Sequence, residues 1–445
     1  MKTGLYIMGL SAACAALFCC ARIPAFADGG GTDSGYSPYS KFGIGTLNRK
    51  GTAYNATMGG VGTASRDHQF INIVNPASVT ARDSLSFMVD FNVENDNRYF
   101  RQNTDGGTLE SVNNTFNFSG FSFSFPIWRS SAMMVGIVPF SSVGYDFAHK
   151  LDNPDYYPVT GRTGNISDAY TGQGSIYNLF AAGGVTFFKR LSIGAQFDYY
   201  FGNLEKSYVR KFATSGYRSI YDGDLIHMQG FGGKFGVQYE QPIGRHRLIV
   251  GGTYRLKTDL IGSSIHLRYA SQSDIADTLT NKIVNLHDAG VNIPWEYSVG
   301  ISFGELNRWT AEFNYTMSDW TKSRMEGTSG FSAKGFSATA NRLFNCGFSV
   351  TPNRGDIRYY MKRVTYRLGA YYNKESYFLN GTQISSYAIT AGMTFPVFKW
   401  FNGLTVGAEF GRRGTLQNGL IRETFVNFSI AVNLFDIWFV KPTYE

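Results

Sequence analysis

The sequence predicts an all-β fold: a transmembrane antiparallel β-barrel of about fourteen strands, with an N-terminal segment folded as a plug, or hatch, in its lumen. Three observations carry this. From residue 84 the chain runs through some fourteen stretches in which apolar and polar residues alternate with period two. After residue 27 no apolar run reaches the roughly 18–20 residues that a membrane helix needs. The composition, with 37 Phe, 28 Tyr, 6 Trp and 51 Gly against 12 Pro and 4 Cys, suits a wall with an apolar outer face and aromatic girdles.

Residues 1–27 read as a secretory signal peptide. Lys2 supplies the positive start, Leu5 to Ala21 the apolar run, and Ala25-Phe26-Ala27 the small residues of a cleavage site. Arg22 and Pro24 end the apolar run too early for an anchor helix. Phe18 precedes Cys19 where a lipoprotein would carry a small residue. Cleavage removes Cys14, Cys19 and Cys20 and leaves Cys346 alone, so neither an internal disulfide nor a CxxC metal site can form. It also removes Lys2 and Arg22 and no acid, lowering the net charge of +8 by two.

Residues 28–83 form the leader and plug. Gly29-Gly30-Gly31 opens a stretch without periodicity. The following residues carry Phe42-Gly43-Ile44-Gly45, Met58-Gly59-Gly60-Val61-Gly62 and Phe70-Ile71-Asn72-Ile73-Val74. That is too much apolar surface for a free tail. In Asn75-Pro76-Ala77, the Asn side chain can bond its own backbone two residues on while Pro fixes the dihedral of a tight turn.

Residues 84–445 form the barrel. Leu85, Phe87, Val89, Phe91 and Val93 alternate with polar neighbours. Phe116 and Phe118 change phase to Phe121, Phe123 and Phe125, which places a bulge near Ser119-Gly120. Strands are expected near 84–94, 114–125, 132–147, 175–188, 190–211, 226–240, 246–268, 294–304, 307–319, 338–350, 363–374, 385–397, 402–412 and 421–435. Short links fall at 126–131, 189, 241–245, 305–306 and 397–401. Long ones fall near 95–113, 148–174, 212–225, 269–293 and 320–337. This is the alternation of short periplasmic turns and long extracellular loops, with both termini periplasmic. The link at 351–362 is longer than the rule wants.

In the third strand, Pro139 lies between Gly136 and Gly144. Proline donates no ladder hydrogen bond and a closed wall has no edge to hide it, so a bulge or kink is expected there. A harmless rim bulge would satisfy the same sequence. The alternation sends Asp90, Asp198, Lys234, Arg255, Glu296, Glu312, Arg367 and Glu409 into the lumen. Lys234, Arg255 and Arg367 could hold a carboxylate, or could pair with the lumen acids.

Catalytic signatures are missing. His68, His149, His227, His246, His266 and His287 show no HExxH or paired spacing. Gly327-Thr328-Ser329-Gly330 falls one residue short of a nucleophile elbow. The glycine clusters precede no βα unit, so a nucleotide fold is not indicated. The chain is therefore read as neither an enzyme nor a binder of metal, cofactor or nucleic acid. Its basic residues gather at the predicted periplasmic turns, where lipid phosphates attract them.

The Gly-rich segment followed by Asn75-Pro76-Ala77, the long barrel after it and Pro139 in the third strand resemble the FadL-type family of outer-membrane hydrophobic-compound transporters. That resemblance implies residence in the outer membrane of a Gram-negative bacterium, among lipid and lipopolysaccharide. It implies lipid transport, with long-chain fatty acids as the best-known cargo and lateral exit at a kinked third strand. Gly59, Gly60, Gly62, Asn75, Pro76 and Ala77 would be the hatch motif, and Gly136, Pro139 and Gly144 the lateral opening. Phe42, Ile44, Met58, Phe70, Ile71 and Ile73 would contribute to the ligand site. The family's own head-group residues match no motif here. Two alternatives stand beside uptake: a PorV-like secretion component with a protein partner, and a general diffusion porin.

Overall fold

The computed structural model describes residues 35–82, 86–104, 107–128, 130–151, 164–214, 216–272, 275–326, 328, 330–331, 335–398 and 402–437. The expected signal peptide lies outside them. Fourteen strands make the wall: β1 (Ser86–Thr104), β2 (Gly107–Trp128), β3 (Ser131–Leu151), β4 (Ile166–Phe187), β5 (Leu191–Phe212), β6 (Ser219–Ile243), β7 (His246–Arg255), β8 (Glu296–Glu305), β9 (Trp309–Asp319), β10 (Ala340–Val350), β11 (Thr365–Leu379), β12 (Thr382–Phe398), β13 (Asn402–Arg413) and β14 (Ile421–Ile437). Each pairs antiparallel with its neighbours, and β14 returns to β1 over Ser86↔Ile437 to Gln102↔Ile421, closing the ring.

The period-two pattern decides which face meets lipid. On β13, Leu404, Val406 and Phe410 point out while Thr405 and Glu409 are buried inside. Around the wall, Phe197, Phe231, Ile389 and Phe428 are each half exposed or more. Such a belt would be costly in water and is at rest in hydrocarbon. The extra residue on β2 is Ser119, between Asn92↔Gly120 and Val93↔Phe118, so the phase change is a bulge.

The fourteen-strand count stands, but each of the five long links expected, 95–113, 148–174, 212–225, 269–293 and 320–337, contains strand. Most of 95–113 is strand, because β1 and β2 run on beyond the apolar belt to Thr104 and Gly107. Polar residues fall on both faces there and the few apolar ones, Tyr99, Phe100, Leu109 and Val112, do not alternate, so the pattern could not reveal it. The single strand expected over 246–268 is two. After Arg255 the chain leaves the wall and passes inside β6, where a Cβ on Gly232 would stand 2.4 Å from the Thr258 hydroxyl. It then emerges as Ile261–Gln272, which pairs with the outer half of β6 and with Ile275–Asn285, so the expected link 269–293 also contains strand. The link at 351–362 is a true long turn at the short-turn end, with one 3-10 turn at Tyr360–Lys362.

Between β2 and β3 the ladder stops halfway. Pairing runs from Trp128↔Ser131 to Phe121↔Ile137 and no further among the described residues. Beyond it, β3 keeps its bonds to β4, with a bulge at Phe140 between Pro139↔Tyr177 and Ser141↔Ile176. The freed edge of β3 pairs inward instead: Ser141 and Ser142 face Leu47 and Thr46, and Asn48 N–H donates to the Phe140 carbonyl at 2.9 Å. Pro139 supplies no N–H at the point where the two ladders part.

Candidate functional site

Residues 35–82 form an inner segment that bonds to strands all around the inside of the wall. Its core is one helical turn, α1 (Ala53–Ala56), followed by Gly59 and Gly60 at φ 72° and 79°. The reversal needs glycine at both positions. Gly59 N–H donates to the Thr390 hydroxyl at 2.8 Å, and Asn345 donates to the Gly59 carbonyl. Asn75 is fully buried. Its side-chain oxygen accepts from Ala77 N–H at 3.0 Å, forming the Asx turn, while its amide donates to the Thr63 carbonyl at 2.7 Å. The Asn-Pro-Ala turn thus clips the Gly-rich stretch to itself.

Three cations fix the segment laterally. Lys50 Nζ lies 2.6 Å from Glu409 and also bonds Glu94. Burial pulls this ammonium down, but Glu409 and Glu94 outweigh it and hold the group well above the usual lysine range. Arg49 pairs with Glu296 at 3.1 Å, and Arg66 with Glu240 at 3.2 Å. At the long-loop end, Lys206 Nζ donates to the carbonyls of Lys41, Gly43 and Gly330 at 2.8–2.9 Å, joining the segment to the loop after β9. Lys206→Met would take the ammonium donor from three part-buried carbonyls, and is expected to release residues 35–45 first, read as faster local amide exchange.

The long-loop half of the lumen is an apolar core. Ile44, Tyr200, Leu260, Ile293, Trp320 and Phe331 all belong to it. Below it a cavity of about 140 Å³ lies between the inner segment and the wall, lined by Val138, Pro139, Phe140 and Phe180 on one side. Asn178, Gln196, Asp198, Lys234, Arg255 and Glu296 are among its polar lining, with Arg49 and Asn345 of the opposite side. Asp198 is 1% exposed, and one of its oxygens accepts both Asn178 (2.9 Å) and Gln196 (2.6 Å). Arg255 reaches Glu296 at 3.5 Å.

The structure sorts the sequence candidates into separate places. Lys234, Arg255 and Ile73 meet at this cavity, beside Pro139. Arg367 does not: it is buried over the rings of Tyr54 and Phe70 at 4.5 and 4.8 Å and donates to Thr394 at 2.6 Å. Met58 and Phe70 pack with Tyr54 and Val61, and Ile71 with Met134 and Phe180. Phe42 and Ile44 line a second cavity of about 20 Å³ near Trp320 and Tyr377. Gly136 lies under the Phe180 ring, and Gly144 exchanges bonds with Ser37 and Ser40 of the inner segment. Charge alone pointed to the cations; Asn178 and Gln196 escaped notice, although their inward parity on β4 and β5 would have found them.

The fold and lumen together define a transmembrane β-barrel filled by its own N-terminal segment and by inturned loops. The chain belongs to the BamG family, whose model matches residues 12–445. None of the curated proteins matches it. Among solved structures, the P. putida toluene transporter TodX gives a TM-score of 0.60 at 13% identity, over 88% of this chain and 100% of that one. The Ralstonia pickettii toluene transporter TbuX gives 0.56 at 16%, over 87% and 98%. A Pseudomonas aeruginosa FadL homologue gives 0.56 at 12%, over 89% and 100%. At such identities the likeness is one of fold.

Proposed function

We propose that the chain resides in the outer membrane of a Gram-negative bacterium, with both termini periplasmic, and passes hydrophobic small molecules across it. Residues 28–83 act as the plug and 84–445 as the barrel, and cargo leaves sideways at β3. Long-chain fatty acids are the first cargo to test, and the fold shared with the toluene transporters supports the class. The observation that carries the reading is the position of the cavity. It lies directly behind Val138, Pro139 and Phe140, where the β2–β3 ladder ends. A guest there needs only the seam to part, not the whole wall. The inner segment and the inturned loops form buried clusters within the lumen, which argues against a general diffusion porin. A secretion role is favoured by the strand edges at 107–114 and 275–285, each paired on one side only among the described residues, where an extended protein segment could add.

The seam can be locked. Gly120 and Val138 would form the next pair, and a Cβ on Gly120 would lie 3.9 Å from the Val138 Cβ, within the usual disulfide range of about 3.5–4.5 Å. Gly120→Cys with Val138→Cys is expected to abolish uptake of a labelled long-chain fatty acid when oxidised and restore it on reduction. Pro139→Ala, which returns a ladder donor, should lower uptake toward the empty-vector level. Equal uptake by the locked and reduced forms, at equal outer-membrane abundance, would count against lateral exit. Absence of uptake in the wild type would count against the cargo.

A further inference from the structure

We propose that the cavity behind β3 receives the zwitterionic head group of an amphiphile, with its cationic end at Asp198 and its anionic end at Lys234 and Arg255. This rests on the passage of hydrophobic molecules proposed above and narrows their class. The argument starts from Asp198. A carboxylate only accepts, so Asn178 and Gln196, which both bond its Oδ1, must turn their amide nitrogens toward it. That fixes where their oxygens go. Asn178 Oδ1, Gln196 Oε1 and Asp198 Oδ2 are all buried without a hydrogen-bond partner among the described residues, and all three residues line the cavity. Three acceptor oxygens on cavity-lining residues, one of them a carboxylate oxygen, thus lack a donor among the described residues.

The opposite chemistry stands nearby. Lys234, facing Gln196 across the β5–β6 ladder, gives its ammonium one long bond, 3.4 Å to the Ile73 carbonyl. Arg255 Nε has no hydrogen-bond partner among the described residues, while its Nη2 lies 3.5 Å from Glu296. A guest without polar groups would leave the three acceptor oxygens and Arg255 Nε desolvated and unpaired. A simple carboxylate would add a third carboxylate to a cavity already lined by Asp198 and Glu296, and would bring no donor to the acceptor oxygens. A head with an ammonium and a phosphate two carbons apart meets both needs. The volume, about 140 Å³, is that of a head group rather than a chain. Its acyl chain would leave past Val138 and Phe140, along the apolar side that ends at the seam.

The test is calorimetric titration of the full-length protein, in a nonionic detergent, with lysophosphatidylethanolamine, lysophosphatidylglycerol and a long-chain fatty acid. The ethanolamine lipid is expected to bind tightest. Asp198→Asn, nearly isosteric, should weaken that lipid by at least about tenfold, the scale of one charge-assisted contact, and leave the two anions unchanged or improved. Lys234→Met should weaken all three. Heat-modifiable gel mobility confirms that each variant is folded. If the fatty acid binds as tightly as the ethanolamine lipid and Asp198→Asn changes nothing, the head-group assignment is wrong while hydrophobic cargo survives. If none of the three binds, the cavity holds water only, and both readings fall.

Discussion

Lys50→Met is expected to loosen the inner segment more than any other single change of charge. Lys50 is the meeting point of Glu94 on β1 and Glu409 on β13, and these two carboxylates are what tie its side chain to the wall. Methionine keeps the length and removes the ammonium, so two carboxylates remain facing one another in the lumen. Glu409 would keep bonds from Tyr371 (2.6 Å) and Asn427 (3.1 Å), but Glu94 loses the charge that makes its burial tolerable. Breaking a buried pair costs about 3–5 kcal/mol, and the lower end applies because the Lys50 side chain retains some access to solvent. The readout is the temperature at which the compact gel band converts to the unfolded one, which should fall by several degrees. Adding Glu94→Gln and Glu409→Gln should recover most of the loss, since the triple change leaves no charge unpaired. An unchanged conversion temperature in the single variant would show that water reaches all three groups.

The distribution of such pairs also explains how much of the molecule could be read from its sequence. Wall strands obey a local rule, because each outward residue meets lipid and each inward one the lumen; Leu404 to Phe410 states its own orientation. Phase changes are equally local, which is why the spacing of Phe116, Phe118, Phe121 and Phe123 is enough to place the Ser119 bulge. Pro139 is legible for the same reason: a missing N–H is a property of one residue. What pairs with what inside the lumen is not local. Nothing near Lys50 in sequence announces Glu409, and nothing near Arg367 says that it stacks on Tyr54 and Phe70 instead of joining Lys234. The inturned stretch after Arg255 was hidden for a related reason. Its residues keep a strand-like composition, and only the glycines at 230 and 232 on another strand make room for it. The seam, too, belongs to a pair of strands and a third segment, Thr46–Leu47, that competes for one of them.

Gly369→Val is expected to open the lumen while leaving the wall intact. Gly369 faces inward on β11, paired with Gly347 on one side and Thr390 on the other. A Cβ there would stand 2.2 Å from the Met58 carbonyl carbon and 2.3 Å from the Gly59 nitrogen. These are backbone atoms held in a turn of positive φ, so no rotamer change relieves the clash. Gly347 presses on the same turn, its Cβ position 2.5 Å from the Met58 oxygen. The wall thus offers a bare patch on which the turn after α1 is seated, and filling it must lift that turn. Overpacking a core with extra methyl groups costs about 1–3 kcal/mol, and a clash with backbone lies at or above that upper end. Valine itself is well suited to a strand, so the ladders of β11 should hold. In a planar bilayer the wild type should pass almost no current, whereas Gly369→Val should give a sustained conductance with unchanged gel mobility. Ala370→Val, one residue on and facing lipid, is the control and should behave as wild type. A folded Gly369→Val barrel that stays closed would mean that the inturned loops, with Leu260 and Trp320 at their core, seal the lumen without help from the inner segment.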